Sequence, residues 1–349
     1  MKNHITFFDR TTLVYSSLFV TGLYQNIKKL NYTFSIEKHF PDFLNESKLG
    51  FPEKNILSTI SLFKATIEND EFYFCIDTGD ANGQHSGYEQ LLLDNVKFYF
   101  KVNFNQDLIA EAPFKNKIIP TPIVYPVTVP ALWQYFPPLS FRSSQSWPRH
   151  EVINRIKQML NLVNLTDVRQ LRQTPKDIDI FFVVTYYDQA WHEADNEFRY
   201  QLISAIRKLK GIKAIAGFAS RKPLPGKYAE FQIRRYLLNE YLEMQSRAKI
   251  AIYVRGLHNC LSFKLGSLLG MGSPIIGQPL LNNTSNYKDL NYYSEQFAFE
   301  KPEEIIQAAI ELLDHPDRQK ALAKSNASFF DENLTSDKII ENIIKVIFS

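Results

Sequence analysis

Residues Arg247 to Leu280 read RAKIAIYVRGLHNCLSFKLGSLLGMGSPIIGQPL, and their pattern predicts a strand, a loop, a helix and a second strand. Lys249 to Val254 is a short apolar run rich in β-branched residues, which is typical of a strand buried on both faces. Gly270 and Gly272 end the helix, and Pro274 to Ile276 begins the next buried strand. This βαβ pattern predicts an α/β fold.

The loop after the first of these strands has the charge and position expected of an anion-binding site. Arg255 lies just past the carboxyl end of the strand, where ligands bind in open α/β sheets. His258 and Lys264 add positive charge at the same place. The next helix, with Asn259 or Ser262 as its cap, would present unpaired N–H groups and the positive end of its dipole. The alternative is an ordinary βαβ unit whose basic side chains are only solvated.

This stretch resembles the donor-binding region of GT-B glycosyltransferases, particularly the exostosin-like and group 1 enzymes. Their typical run is PRG, a few residues, SYRLYEALAAG and a PVI strand, and this chain has VRG at 254–256, SFKL at 262–265 and PII at 274–276. Lys264 takes the place of the family's Arg. Ser267 takes the place of a Glu that often binds the nucleotide ribose, and a hydroxyl binds a ribose less strongly than a carboxylate does. The resemblance extends from Ile178 to the carboxyl terminus.

The resemblance implies an α/β protein of the GT-B class, with two Rossmann-like domains facing across a cleft. The second domain would bind a nucleotide sugar, and the first would bind the acceptor. Arg255, Lys264 and the helix start would neutralise the leaving diphosphate, without a metal or another cofactor. Direct displacement with inversion is favoured, because no E-x7-E pair starts at Ser267. The predicted donor-binding residues in this stretch are Arg255, Gly256, His258, Asn259, Ser262, Lys264 and Ser267.

Length and composition limit the classes of protein to which the chain can belong. A chain of 349 residues is long enough for two domains of ordinary size. A net charge of +3, from 40 basic and 37 acidic residues without a dense basic block, argues against nucleic-acid binding. The apolar run from Leu13 to Tyr24 is too short for a membrane helix, and Cys75 and Cys260 are expected to be reduced core thiols.

The amino-terminal half begins with a second βαβ pattern. Ile5 to Phe8 and Tyr32 to Ile36 are predicted strands, and Ser16 to Leu30 is a predicted helix between them. Apolar periodicity predicts a further helix over Ile56 to Phe63, and the run EFYFCI predicts a strong strand over Glu71 to Ile76. GT-B enzymes usually open with such a βαβ unit.

Polar residues follow the strand that ends at Ile76. Asp77 and Asp80 come directly after it in the sequence DTGD, where α/β enzymes keep catalytic groups. One of these carboxylates is a candidate general base for the proton of an acceptor hydroxyl, and His85 is a further candidate. The alternative is turn chemistry, in which the aspartate bonds its own backbone and the glycine supplies a positive φ.

The second half of the chain offers further candidate contacts at predicted strand ends. Ile178 to Val184 is a predicted strand, and Thr185 and Tyr186 begin the loop TYYDQAWHEA that follows it. Arg221 and Lys222 follow the next predicted strand and are candidate phosphate contacts, with a solvated surface as the alternative. These four residues complete the predicted donor site.

The other predicted elements of this half are mainly helices. Tyr228 to Arg247 is predicted to be one helix, and Tyr292 to Phe299 is predicted to be the last strand. The helix predicted over Ser336 to Ile347 would, by the resemblance, cross back to the first domain. No metal site is predicted, because Asp177 and Asp179 lie at the amino end of their strand, away from the ligand edge, and no His or Cys cluster has metal-ligand spacing.

These observations lead to one prediction with two alternatives. The acceptor domain is predicted over residues 1–148, the nucleotide-sugar domain over 149–330 and the terminal helix over 331–349. The function implied by the resemblance is a metal-independent glycosyltransferase that acts on a glycan or glycolipid acceptor in bacterial surface polysaccharide or lipopolysaccharide synthesis. The alternatives are a catalytically silent binding protein and a sugar-nucleotide epimerase of the same architecture. The expected location is the cytoplasm, and a peripheral contact with the inner face of the cell membrane stays open.

Overall fold

The structure is a computed structural model that describes residues 3–8, 13–37, 39–44, 59–80, 87–109, 114–128 and 149–349. The chain divides into two compact units. The first unit comprises Met1–Leu165, Asn282–Asn286 and Glu332–Ser349, and the second comprises Thr166–Leu281 and Tyr287–Asp331. Each unit contains a β-sheet with helices, so the prediction of an α/β protein is confirmed.

Strands and helices alternate through most of the described chain. The strands are β1 (Asn3–Phe8), β2 (Tyr32–Glu37), β3 (Ile60–Ile67), β4 (Asp70–Asp77), β5 (Val96–Lys101), β6 (Ile118–Pro120), β7 (Val127–Thr128), β8 (Val163–Asn164), β9 (Ile178–Val184), β10 (Ala214–Ala219), β11 (Gln232–Ile233), β12 (Ala248–Tyr253) and β13 (Ile275–Gly277). The helices are α1 (Leu13–Asn26), α2 (Gly87–Asn95), α3 (Gln106–Ile109), α4 (Arg149–Leu160), α5 (Leu165–Gln170), α6 (Glu193–Lys208), α7 (Leu238–Ser246), α8 (Lys264–Gly270), α9 (Tyr293–Gln296), α10 (Pro302–Leu313), α11 (Pro316–Phe329) and α12 (Ser336–Phe348).

The sheet of the second unit is parallel throughout its described strands, in the order β11-β10-β9-β12-β13. From β9 the chain runs through α6 to β10 on one side, whereas from β12 it runs through α8 to β13 on the other side. The strand order therefore reverses between β9 and β12. In open α/β sheets the crevice beyond the carboxyl ends of two such strands is the usual place for a ligand.

Helices cover both faces of this sheet, which is why its strands are almost continuously apolar. Phe182 and Val184 of β9 pack in a core with Leu202 of α6 and Ile305 of α10. On the opposite face Phe181 packs with Val183, Tyr241 and Met244, which places α7 there. Alternate residues of the central strand thus bury opposite faces, and the loops at its carboxyl end are held between the two layers.

The first unit differs from the Rossmann-like pattern predicted for it. Its sheet has the order β2-β1-β3-β4-β5-β6, and β3 runs antiparallel to both β1 and β4. The helix predicted over Ile56 to Phe63 is therefore wrong where the structure describes that segment, since Ile60–Ile67 is a strand. Ile60, Leu62 and Phe63 are all buried, and their spacing fits both a helix and a strand covered on both faces.

Two predictions in the second unit are also corrected. The single helix predicted over Tyr228 to Arg247 is instead a 3₁₀ helix (Gly226–Phe231), the short strand β11 and helix α7. Tyr228 packs on one face of the sheet and Tyr236 on the other, which one continuous helix cannot do. The strand predicted over Tyr292 to Phe299 is a short helix, α9, followed by one isolated bridge. Its residue Gln296 is fully buried, where Asn326 Nδ2 donates to its Oε1 at 2.7 Å.

The carboxyl-terminal helix α12 packs closely against α1 within the first unit. Gly22 makes this approach possible, since a Cβ there would lie 2.0 Å from the Ser336 carbonyl oxygen. The Asn26 side chain donates hydrogen bonds to the Gly22 carbonyl at 3.0 Å and to the Asp337 carbonyl at 2.8 Å. Among the residues that the structure describes, no helix combines the length and apolar character needed to cross a bilayer.

Candidate anion-binding site

A small cavity of about 60 Å³ lies between the carboxyl ends of β9 and β12, where the strand order reverses. Its walls come from both strands, from the loops that follow them and from helices α6, α7 and α8. This volume is about four times the ~15 Å³ that one water molecule needs, so the cavity accommodates a group of phosphate size. The polar residues around it are Thr185, Tyr187, Arg199, Tyr241, Gln245, Tyr253, Arg255, Ser262 and Lys264, and Gly256 also lines it.

Lys264 provides an amine inside the fold. Although part of its side chain is accessible, the amine is enclosed by protein, where it donates a hydrogen bond to the Val183 carbonyl and lies 5.1 Å from the centre of the Tyr241 ring. Burial, with a smaller contribution from the nearby Arg199, lowers the pKa of this amine to about 7. An anion in the cavity would restore its charge.

Arg199 brings a second cation to the cavity from helix α6, and its side chain is only 4% exposed. Its guanidinium donates to the carbonyl oxygens of Thr185 at 3.0 Å and Arg255 at 3.4 Å, and so ties the loop after β9 to the loop after β12. The guanidinium carbon also lies 4.3 Å from the centre of the Tyr187 ring. Sequence analysis missed Arg199 because it lies within an amphipathic helix far from the predicted loops.

Arg255 lies where the sequence predicts, just beyond the carboxyl end of β12. Its guanidinium forms an ion pair with Glu300, with Nη2 2.7 Å from Oε2, and its backbone N–H donates to Gln278 Oε1 at 3.0 Å. The Nε atom is buried and has no hydrogen-bond partner in the described chain. One N–H donor of the Arg255 guanidinium is thus buried without an acceptor, which is costly unless a ligand accepts a hydrogen bond from it.

Gln245 supplies a further unused donor. This residue of α7 is 2% exposed and lines the cavity, and its Nε2 atom has no partner among the described residues. Within that part of the chain, Gln245 Nε2 and Arg255 Nε are the buried side-chain nitrogens without a hydrogen bond, and both belong to this cavity. Buried polar groups in folded proteins are normally paired, so two unpaired donors at one place point to a missing acceptor.

The charge around the cavity has one sign. None of the residues that line it is acidic, and Arg199 and Lys264 have no carboxylate partner in the described parts of the chain. A buried cation is costly unless an opposite charge compensates it. These two basic side chains, the Arg255 guanidinium and the unused N–H donors would suit a small anion, which would accept hydrogen bonds and neutralise the charge.

The predicted contribution of the helix start is corrected. Helix α8 is only seven residues long, and it begins after Phe263 without a side-chain cap, so neither Asn259 nor Ser262 caps it. Ser262 nevertheless lines the cavity, and its N–H group lies 3.5 Å from the Tyr253 hydroxyl. Ser267 is buried in α8 and does not line the cavity. The charged groups that line the cavity are the side chains of Arg199, Arg255 and Lys264.

The loop after β12 holds the other predicted donor contacts. Gly256 lines the cavity, and a Cβ there would lie 2.5 Å from the Cys260 sulfur, so the close turn requires glycine. His258 and Asn259 are exposed and both have a left-handed backbone, with φ of 53° and 60°. Neither lines the cavity, although both follow Gly256 directly.

The remaining predicted donor contacts are not brought together. Thr185 lines the cavity. Tyr186 instead packs against the core, with its ring centre 5.0 Å from that of Tyr228. The neighbouring Tyr187 lines the cavity in place of Tyr186. Arg221 and Lys222 are exposed beyond β10 and do not reach the cavity. The predicted donor contacts that do line the cavity thus all follow strand β9 or strand β12.

The candidate bases belong to the first unit. Asp77 is buried, and its carboxylate accepts hydrogen bonds from Lys101 Nζ and the Tyr99 hydroxyl, both at 2.7 Å, and from the Gly79 N–H at 2.7 Å. The bond from the Gly79 N–H matches the turn alternative, but Gly79 lacks the positive φ expected there. Because three donors already hold the carboxylate, we assign Asp77 a structural role. Asp80 is exposed, and His85 lies outside the described residues.

Metal binding was not expected from the sequence. Within the described ranges, no three His, Cys, Asp or Glu side chains gather in a way that could hold a metal ion. Asp177 and Asp179, the acidic pair considered above, lie at the amino end of β9 and are paired with basic residues, Arg247 and Lys249 respectively. They are at the opposite edge of the sheet from the cavity.

Fold and site together define a two-unit α/β protein with a cationic cavity at the strand-order reversal of its parallel sheet. The chain matches no protein-family profile and no curated protein sequence. It is similar to the solved structure of a glycosyltransferase from Rickettsia africae, with 12% identity and a TM-score of 0.47, covering 94% of this chain and 80% of the other.

Two further solved structures are similar over most of their length. The spinosyn forosaminyltransferase SpnP is 10% identical with a TM-score of 0.39, and the match covers 95% of this chain and 96% of the other. A DNA-modifying β-glucosyltransferase, studied with and without uridine diphosphoglucose, is 10% identical with a TM-score of 0.37, covering 94% and 93%. At these identities and TM-scores the similarities carry no inference about the reaction of this chain.

Proposed function

We propose that the chain is a glycosyltransferase that uses a nucleotide-sugar donor and binds the donor diphosphate at the cavity between β9 and β12. The observation that carries the proposal is the set of unpaired buried donors and uncompensated cations at this one place. Gln245 Nε2 and Arg255 Nε lack acceptors, and Arg199 and Lys264 lack carboxylates. A diphosphate supplies both the oxygen acceptors and the negative charge.

The chemistry of the site fits a leaving group better than a reacting centre. The cavity holds one phosphate-sized group, whereas sites for whole small molecules usually enclose about 300–1,000 Å³. One phosphate of the diphosphate would therefore occupy the cavity, and the second phosphate and the rest of the nucleotide sugar would lie at its mouth. Fixed cations around the departing diphosphate stabilise the charge that develops there, and this electrostatic stabilisation is a major part of transfer catalysis.

We place acceptor activation in the first unit. Asp80 remains our proposed base because it follows β4 and is exposed to solvent, where an acceptor can reach it. The acceptor would be a glycan or glycolipid, and transfer would proceed with inversion. A bacterial surface polysaccharide is the proposed context, and the sequence resemblance supports it.

A silent binding protein is the second candidate. Two observations favour it: Ser267 replaces the family's Glu and lies away from the cavity, and Asp77 is held in an ion pair. Such a protein would bind the donor without consuming it. Donor binding and donor consumption must therefore be measured separately.

The first test is a binding screen of UDP-, GDP-, CDP- and ADP-sugars by thermal shift, followed by titration calorimetry. We expect one nucleotide series to bind, and we expect Lys264→Met and Gln245→Leu each to weaken binding at least tenfold, because each removes a donor to the diphosphate. Lys213→Met is the matched control, since Lys213 is exposed and pairs with Asp177 at the other edge of the sheet.

The second test is donor consumption with glycan and glycolipid acceptors. Sugar transfer or slow donor hydrolysis by the wild type, reduced in Lys264→Met, supports the enzyme. Binding without consumption supports the silent protein. If no nucleotide sugar binds the wild type, both candidates are rejected.

A further inference from the structure

One large aromatic side chain is exposed beside the cavity and has no role in the core. Trp191 is 70% exposed, in the loop between β9 and α6. Exposing an indole forgoes the burial energy that large aromatic rings normally contribute. Because a ring with this exposure keeps a face open to solvent, Trp191 can stack on another ring.

The position of Trp191 is fixed by the turn that carries it. Residues Ala190–His192 form one 3₁₀ turn, in which the His192 N–H donates to the Gln189 carbonyl at 2.9 Å. The His192 ring is 4% exposed, and its Nδ1 lies 3.0 Å from Asp195 Oδ2. The Trp191 and His192 ring centres lie 5.1 Å apart, so the buried imidazole packs against the indole and supports it. A supported aromatic ring loses little side-chain entropy when it binds.

His258 lies beside Trp191, and we call this nearly perpendicular pair of rings the corner. The two ring centres lie 6.0 Å apart at an interplanar angle of 86°, and the His258 and His192 rings lie 5.9 Å apart. His258 and the next residue, Asn259, both have a left-handed backbone, which costs about 1 kcal/mol or more for each non-glycine residue. Backbone strain of this kind is found at ligand sites, where it positions a side chain.

A short series of ring contacts connects this corner to the cavity. His192 lies 5.1 Å from Tyr187, and Tyr187 lines the cavity under the Arg199 guanidinium. His258 is two residues from Gly256, which also lines the cavity. A ligand whose phosphate occupies the cavity would therefore place an attached ring near Trp191.

We propose that Trp191 and His258 form the subsite for the pyranose ring of the donor, and this inference rests on the proposed function. A pyranose has an apolar C–H face that packs on an indole and a rim of hydroxyl groups that need hydrogen bonds. The corner offers both, since the indole provides the flat surface and imidazole nitrogens donate or accept. A nucleobase also stacks and forms hydrogen bonds through its edge, but the ribose separates it from the diphosphate, whereas the pyranose is attached to the diphosphate directly. The corner therefore fits a sugar better than a base.

The test compares two ligands and three variants by titration calorimetry. The ligands are the best nucleotide sugar from the screen and the nucleoside diphosphate that lacks its sugar. The variants are Trp191→Ala, the conservative Trp191→Phe and the matched control Leu237→Ala, which removes another exposed apolar side chain, 64% accessible, of the same unit. Because Trp191 is on the surface, its replacement leaves the fold intact, and this is checked by circular dichroism.

The expected result is specific to the sugar. Trp191→Ala should weaken nucleotide-sugar binding about tenfold and leave nucleoside diphosphate binding unchanged, Trp191→Phe should restore most of the affinity, and Leu237→Ala should match the wild type. Equal loss of both ligands would show that the corner holds the base, and unchanged binding of both would show that it holds neither. Either outcome overturns the inference while the proposed function stands. Failure of the wild type to bind any nucleotide sugar rejects both.

Discussion

At the level of single residues, Lys264 determines how the site responds to pH. Its amine has a pKa of about 7 in the folded chain, against 10.5 for an ordinary lysine, because burial and the neighbouring Arg199 disfavour the charged form. Between these values the unfolded chain binds a proton that the folded chain does not. Stability therefore rises with pH from about 7 to about 10.5, and the full penalty is present below pH 7.

This increase of stability with pH leads to a prediction for Lys264→Met. In a buffer without phosphate, the variant should exceed the wild type in free energy of unfolding by about 1–3 kcal/mol at pH 6, and the difference should fall below about 1 kcal/mol by pH 10. Urea denaturation at pH 6, 8 and 10 measures it, with Lys213→Met as the control. A variant that is less stable than the wild type at pH 6 would contradict the assigned burial of the amine.

Asp77 provides the second prediction at this scale. Replacement by Asn leaves the Lys101 ammonium, 3% exposed, without its carboxylate, and removing one partner of a buried ion pair typically costs about 3–5 kcal/mol. We expect Asp77→Asn to lower the free energy of unfolding by about 3 kcal/mol, and the double variant with Lys101→Met to recover part of that loss. A stable Asp77→Asn protein that has lost sugar transfer would instead support the catalytic alternative.

At the level of elements, the packing of α1 against α12 depends on one glycine. A methyl group at Gly22 would lie 2.0 Å from a backbone carbonyl oxygen and 2.6 Å from Ile340 Cγ1. Helix propensity alone predicts that Gly22→Ala stabilises the chain by about 1 kcal/mol. We expect the steric overlap to outweigh this gain in helix propensity, so that the variant is about 1–3 kcal/mol less stable than the wild type in urea denaturation.

A double variant identifies the cause of this loss. Because the closest atom belongs to the backbone of Ser336, trimming Ile340 to Ala in the Gly22→Ala background should not restore stability. Restoration would mean that side-chain overlap is responsible, and an unchanged or raised stability of Gly22→Ala alone would contradict the close packing.

The elements also show what the sequence could predict. Strands β9 and β12 and helix α12 were predicted from their apolar patterns, and the structure confirms them. Strand β3 was mistaken for a helix because a strand buried on both faces lacks the alternation that identifies it. The segment from Tyr228 was mistaken for a helix because its aromatic residues pack on opposite faces of one sheet, which no local pattern reveals.

At the level of the whole molecule, the cationic cavity is complete within the second unit. Arg255, Gly256, Ser262 and Lys264 were predictable because they follow a strand end. Arg199 and Gln245 were not, since they reach the cavity from helices whose positions depend on tertiary packing. The most informative feature, a pair of buried donors without acceptors, exists only once the chain is folded.

The location of a bound diphosphate tests the central claim most directly. A crystal structure of the full chain soaked with the nucleotide sugar that binds best would show it. We predict diphosphate oxygens within hydrogen-bond distance of Lys264 Nζ, Arg255 Nε and Gln245 Nε2, between the carboxyl ends of β9 and β12. A diphosphate bound elsewhere on the chain, with these three donors still unpaired, would contradict the account.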